Sequence, residues 1–405
     1  MKSNFVTAIC EATRLTRSQR LAEATRLIQE TLSGSQSATS AAHQRRPGRS
    51  DASARLSDLR AEQPSSADRA DLPTDRPLFA KLQTMPLRRP LGETLNLLRQ
   101  GTLGRLSPLT TKRPTPHKRP FVPEGAEFLT RSFTCPSGTR AYKLYVPRYP
   151  GAVTGLVIML HGCTQDPDDF AIGTEMNEVA EERGLIVAYP AQSRSANPSL
   201  CWNWFDLRDQ KRGSGEPAIV AGLTEELIAE FGIGSGHVFV AGLSAGGAMA
   251  AVMGATYPDI YAAVGVHSGL GYGIAGDLIS ALAAMRGKQR HLRSAIRAPT
   301  RTIVFHGDAD QTVHPLNGDS IVDAALADLE AARKEALPGR SPGGVDYLRT
   351  ICRNKAGLSV VEHWVVRGVG HAWSGGNAEG SYTDSRGPDA SREMVRFFLE
   401  QPAGK

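Results

Sequence analysis

The sequence is short of several things, and each shortage removes a class of function. Only 6% of its 405 residues are aromatic, and only five are cysteine. No two cysteines form a C-x-x-C pair and no His/Cys ligand spacing occurs, so no metal site is expected. An odd thiol count in a long chain says little about redox compartment. Nowhere are there the roughly 18 to 20 uninterrupted apolar residues of a membrane-crossing helix, so no transmembrane segment is expected. The start, MKSNFVTAICEATRLTR, lacks the apolar core of a secretory signal and has Glu11 where that core would sit. A cleavable signal is therefore not expected; the compartment stays open, with the cytoplasm favoured.

Acidic residues are scarce in one part of the chain only. Residues 1–124 hold 21 Lys and Arg against 11 Asp and Glu, whereas residues 125–405 hold 26 against 30. The net charge of +6 thus comes from the N-terminal part. A basic arm beside a mildly acidic domain can meet an anionic surface, but a solvated arginine-rich tail accounts for it with no partner, and no nucleic acid is expected. The length fits more than one region. Residues 1–33 read as helix: EATRL at 11–15 recurs at 23–27, and Val6, Ile9, Leu15, Leu21, Leu27, Ile28 and Leu32 fall mostly on one face. Residues 34–124, rich in Ser, Ala, Arg and Pro, have too little apolar surface to offset the entropy of ordering and read as a mostly disordered linker. A short helical stretch at 91–101 interrupts it.

Residues 125–402 read as the catalytic domain. FLTRSFT and RAYKLYVP alternate like two antiparallel edge strands, and LVIML at 156–160 is a continuous apolar run of the kind found in buried parallel sheets. Similar runs follow at 185–189, 237–243, 262–268, 301–307 and 363–368, with helical patterns at 168–184, 217–232, 244–258, 276–287, 318–336 and 388–400. Strand and helix in alternation predict an α/β fold with a mostly parallel, doubly wound sheet and a site at the carboxyl ends of its strands.

GLSAG at 242–246 fits G-x-S-x-G directly after a strand and directly before a small-residue helix. A serine on so sharp a turn needs glycine on both sides, because the backbone is crowded there, and the turn lifts its hydroxyl clear of the sheet. Ser244 is thus the candidate nucleophile. Its hydroxyl is inert until a base takes the proton, so an acid and then a histidine should follow it in the chain. HGDADQTV offers Asp308 or Asp310 after one strand, and VGHAW offers His371 after another. The other histidines, His306, His314, His267 and His237, read as structural. The oxyanion formed on attack needs backbone donors, for which the amide of Ala245 and that of Cys163 in the HGC loop are the candidates, with His161 organising that loop.

Together MLHGCTQDPDDF, CWNWF, GLSAGGAMA, VHSGLGYG, FHGDADQTV and GVGHAWSGG resemble the poly(3-hydroxybutyrate) depolymerase family of esterases, the short-chain polyhydroxyalkanoate depolymerase-like group, over roughly residues 128–400. The resemblance implies an α/β-hydrolase fold, no cofactor, and ester hydrolysis by Ser244, Asp310 and His371. The family pattern H-G-x-x-D favours Asp310 over Asp308. It also implies a Cys163–Cys201 disulfide across the loops above the sheet, with two reduced thiols as the alternative. Trp202, Trp204 and Trp373, on loops of the same kind, are expected to line a substrate groove, with plain packing as the competing role. The implied substrate is a short-chain hydroxyalkanoate polyester or its oligomers. A feruloyl or acetylxylan-type esterase is the alternative, and related family members are extracellular. A reading of another class is a granule- or partner-binding protein that uses the basic arm and has secondary esterase activity. Oligomeric state is unread.

Overall fold

The computed structural model describes residues 119–148, 153–288, 300–327 and 333–401, all within the unit Arg105–Lys405. The helix expected over 1–33, the stretch at 91–101 and nearly all of the linker expected over 34–124 lie outside the described residues.

Among the described residues ten strands form one sheet: β1 (Glu127–Cys135), β2 (Gly138–Val146), β3 (Gly155–Leu160), β4 (Leu185–Pro190), β5 (Val238–Leu243), β6 (Ala263–His267), β7 (Arg301–Gly307), β8 (Arg333–Arg340), β9 (Asp346–Arg353) and β10 (Ser359–Val366). Their order is β1-β2-β4-β3-β5-β6-β7-β10-β9-β8. The six strands from β4 to β10 in that order are parallel, and an antiparallel pair flanks them on each side. This is an α/β-hydrolase architecture. Strands β3, β4, β5 and β6 are buried along their whole length, which is why they read as unbroken apolar runs.

The pleat divides each central strand between two cores. Leu156, Ile158 and Leu160 of β3 and Val238 and Val240 of β5 face one core, against helices α3 (Gly215–Phe231) and α4 (Ala245–Thr256). Val157 and Met159, with Phe239 and Ala241, face the other, against α1 (Pro167–Thr174), α2 (Met176–Arg183) and the C-terminal helix Ala390–Leu399. Burying each such aliphatic side chain contributes about 1.5–3 kcal/mol, so the sheet centre is the rigid base on which the loops stand.

Three expectations need correction. The helix expected over 168–184 is two helices, because Glu175 takes a left-handed conformation at φ 52° between them. The helix expected over 318–336 ends at Leu326, and Arg333–Arg340 is strand β8. Alanine and glutamate give this segment helical propensity, but β8 pairs residue for residue with β9, from Arg333 opposite Arg353 to Arg340 opposite Asp346, and the sheet overrides propensity. Strand β9 itself, DYLRTICR, is an addition to the strands read from sequence.

Candidate active site

From β3 the chain moves outward to β4, then returns to β5 on the other side of β3 and continues to β6 and β7. The order reverses between β3 and β5, and at such a point the strand ends leave a crevice. Ser244 follows β5 and the His161-Gly162-Cys163 loop follows β3. Ser244 has φ 58° and ψ −118°, a strained conformation for a non-glycine residue. Its amide donates to His267 O at 2.9 Å, and its carbonyl accepts from Ala248 N at 2.9 Å. A Cβ on Gly246 would run into the backbone oxygens of Leu160 and His161. Glycine there lets the first turn of α4 come against the end of β3. Ala245 opens that helix, so its amide has no intrahelical acceptor and lies at the positive end of the dipole.

The second half of the site stands on β7 and β10. Asp310 Oδ2 accepts the Nδ1–H of His371 at 2.7 Å, with the Asp310 side chain fully buried and that of His371 12% exposed. Asp310 Oδ1 accepts the amides of Thr312 at 2.8 Å and Val313 at 2.9 Å. The Nε2 of His306, bound to Val313 O at 2.9 Å, lies 3.5 Å from Asp310 Oδ2. Burial alone would raise the Asp310 carboxyl, but hydrogen bonds from His306, His371 and the Val313 amide outweigh it and hold the group well below the usual carboxylate range. Asp308 is committed elsewhere: Gly368 N donates to its Oδ1 at 2.6 Å and Arg367 pairs with its Oδ2 at 3.1 Å. With Nδ1 donating to Asp310, the neutral His371 ring keeps a lone pair on Nε2. Among the described residues no hydrogen bond joins that nitrogen to Ser244 Oγ, a contact that often tightens only with substrate bound.

The loop after β3 is tied from several sides. His161 donates Nδ1–H to Gly162 O at 2.7 Å and accepts from Gln192 N on Nε2 at 3.1 Å. Burial pushes its imidazole below the ordinary value, so the neutral ring is a brace. Cys163 is disulfide-bonded to Cys201. Gln165, 2% exposed, takes Gly162 N on Oε1 at 2.9 Å and gives Nε2–H to Ser381 O at 3.1 Å. His267 serves the other side: its Nε2 accepts Ser374 N at 2.9 Å, three residues beyond His371, while its carbonyl holds Ser244. Burial, with His306 and His371 nearby, pushes its imidazole well down. Gln165 and this use of His267 escaped sequence reasoning, since nothing in the pattern signals which distant loops meet.

The tryptophans depart from the expected groove. Trp202, Trp204 and Trp373 are 0%, 6% and 1% exposed and pack the loops from beneath. Trp202 lies against the His161 ring, Trp204 edge-on to Phe205, and Trp373 stacked on His267 with its Nε1 bound to Ser391 Oγ. Large rings placed so deep present no face to a ligand in this structure.

The arrangement has the parts for acyl transfer: a strained serine at a helix N-terminus, and a histidine held by a buried carboxylate. Residues 140–339 match the family Esterase PHB depolymerase. The chain is 29% identical over 250 residues to poly(3-hydroxyalkanoate) depolymerase C of Paucimonas lemoignei, covering 59% of each protein. It is 31% identical over 202 residues to acetylxylan esterase A of Talaromyces purpureogenus, covering 45% of this chain and 51% of that one. The chain thus spans between about half and three fifths of the length of these curated relatives. Among solved structures, an acetyl xylan esterase from Aspergillus awamori superposes with a TM-score of 0.50 at 24% identity, over 61% of this chain and 93% of that one. That likeness is one of fold.

Proposed function

We propose that this chain, whose residues 140–339 match the family Esterase PHB depolymerase, is a serine carboxylic ester hydrolase working through an acyl-enzyme, with residues 125–402 as its catalytic domain. The observation that carries the reading is the 2.7 Å bond from His371 Nδ1 to the buried Asp310, on the same sheet end as the strained Ser244. In the proposed cycle His371 Nε2 takes the Ser244 proton as Oγ attacks the ester carbonyl carbon. The carbonyl oxygen becomes an oxyanion and accepts from the amides of Ala245 and Cys163. Collapse of this intermediate breaks the bond to the alcohol oxygen, which leaves with the proton from Nε2. Water, deprotonated by the same nitrogen, then attacks the acyl carbon; collapse of the second intermediate breaks the bond to Ser244 Oγ, which takes the proton back from Nε2 as the carboxylic acid leaves. Asp310 stays ionised throughout, because its partners favour the charged form.

Short-chain 3-hydroxyalkanoate polyester or its oligomers are the first substrate proposed, on the likeness to the Paucimonas lemoignei depolymerase. An acetylxylan-type activity is the second reading, supported by the 31% identity to acetylxylan esterase A. Turnover of p-nitrophenyl butyrate should be measured beside hydroxybutyrate oligomers, feruloyl esters and acetylated xylan. The depolymerase reading expects the oligomers to have the highest kcat/KM of the three natural classes; preference for acetylated xylan would replace it. Ser244→Ala should lose on the order of 10⁴-fold or more in kcat with its melting temperature unchanged. Appreciable turnover by that variant would remove the hydrolytic role from Ser244.

A further inference from the structure

Thr164 and Tyr382, two non-glycine residues with positive φ, at 66° and 54°, touch one another across 218 positions of sequence. The Tyr382 hydroxyl lies 3.1 Å from Thr164 Oγ1. Thr164 gives its single hydroxyl hydrogen to Cys163 O at 2.6 Å, so the phenol is the donor in the contact between them. The Tyr382 carbonyl accepts Trp373 N at 2.6 Å, two residues beyond His371. Its neighbour Ser381 accepts from Gln165, which in turn holds Gly162 N. Residues 381 and 382 therefore grip the loop that carries Cys163 with one hand and the segment that carries His371 with the other. Strained residues gathered at one place, and held there by partners, point to a geometry that function requires.

Tyr382 is 46% exposed. Such a residue adds little to the core, and its hydroxyl bond would be of small use to folding alone. It is well placed for something else. The Cys163 amide lies between two fixed carbonyls: Gly162 O is held by His161, and Cys163 O by Thr164. Thr164 N is in turn bound to Ser199 O at 2.8 Å, next to the Cys201 side of the disulfide. Tyr382 closes this frame from the solvent side.

We propose that Tyr382 is a positioning residue for the oxyanion hole: through Thr164 it sets the direction of the Cys163 amide and aligns that donor with the His371 segment. The proposal rests on the hydrolase reading given above. It acts on the transition state, where the oxyanion forms, and much less on the bound ester.

Tyr382→Phe keeps the ring and removes the donor. With p-nitrophenyl butyrate it should lower kcat roughly tenfold while KM stays within about twofold and the melting temperature is unchanged. Binding of a boronic acid, whose tetrahedral adduct puts an oxygen in the same hole, should weaken in step with kcat. Thr164→Val should lose at least as much, Thr164→Ser should retain activity, and adding Tyr382→Phe to Thr164→Val should cost nothing more, because the two groups act in series. Tyr382→Phe with wild-type kcat, or losses that multiply in the double variant, would overturn the proposal while leaving the hydrolase reading intact. A wild-type protein that neither turns over esters nor reacts with a fluorophosphonate would overturn that reading, and this proposal with it.

Discussion

At the end of β5 the chain is held by backbone against backbone, whereas at the ends of β7 and β10 side chains add to backbone bonds such as Ala309 N to Val369 O and Trp373 N to Tyr382 O. Around Ser244 the contacts are an amide on His267 O and a glycine pressed on the oxygens of Leu160 and His161, at and just past the end of β3. Around His371 they include the Asp310 carboxylate, His306 beside that carboxylate, and His267 on the amide of Ser374. The first region is fixed by steric exclusion and has one conformation open to it. The second is fixed by polar bonds whose strength depends on protonation and partner identity. The proposed reaction needs a nucleophile presented rigidly and a proton moved, and the two regions offer one means for each.

The comparison is broken most severely at glycine. Gly246→Ala would drive a methyl into backbone oxygens that cannot rotate away, so it should cost more than about 4 kcal/mol and leave little folded protein, as read by circular dichroism and soluble yield. A folded, active variant would mean that the crowding at the elbow relaxes. On the polar side the expected loss is in rate. Asp310→Asn should lower kcat roughly 10⁴-fold with the fold intact, while Asp308→Asn, confined to the turn with Arg367 and Gly368, should change it less than about threefold. The reverse ranking would transfer the acid's role to Asp308.

A smaller effect separates two buried carboxylates shifted in opposite directions. Asp310 is held down by its partners. Asp209, buried and beside Glu216, is pushed up to about 6 from 3.8. Its stabilising contribution is full below its unfolded value and is lost as pH rises through 6. Asp209→Asn keeps an oxygen for the Glu216 amide, so it should raise the melting temperature by a few degrees at pH 7.5 and by less at pH 4. His161, His267 and His363, all lowered by burial from 6.5, act in the other sense: the unfolded chain takes up protons that the folded one refuses, so stability should fall as pH drops below about 6.5. Melting curves at several pH values check both signs.

What could be read in advance follows the same division. LVIML, HVFVAGL and RTIVFHG are buried on both faces, and burial on both faces writes itself as an unbroken apolar run. GLSAG was legible because steric crowding demands glycine at fixed offsets. DYLRTICR is only partly buried and RKEALPGR is mostly exposed, so neither carries that mark, and Arg333–Ala336 fits a helical pattern instead. The polar side of the site was legible only where a strand end and a motif coincide, at Asp310 and His371. Gln165, Thr164 and Tyr382 meet through loops more than 200 positions apart, and no local pattern encodes such a meeting. The tryptophans carried a real aromatic signal whose depth could not be judged without the fold.

Strand β8 has one further consequence. Its outer side has no partner strand among the described residues, and an open strand edge is a template on which other chains can add. This one presents Arg333, Lys334 and Arg340, and at Pro338 it lacks the amide that a further ladder would need. An approaching strand therefore meets positive charge and a missing rung. The segment that conformed least to the expected pattern thus carries the charge and the proline that disfavour addition of a further strand at that edge.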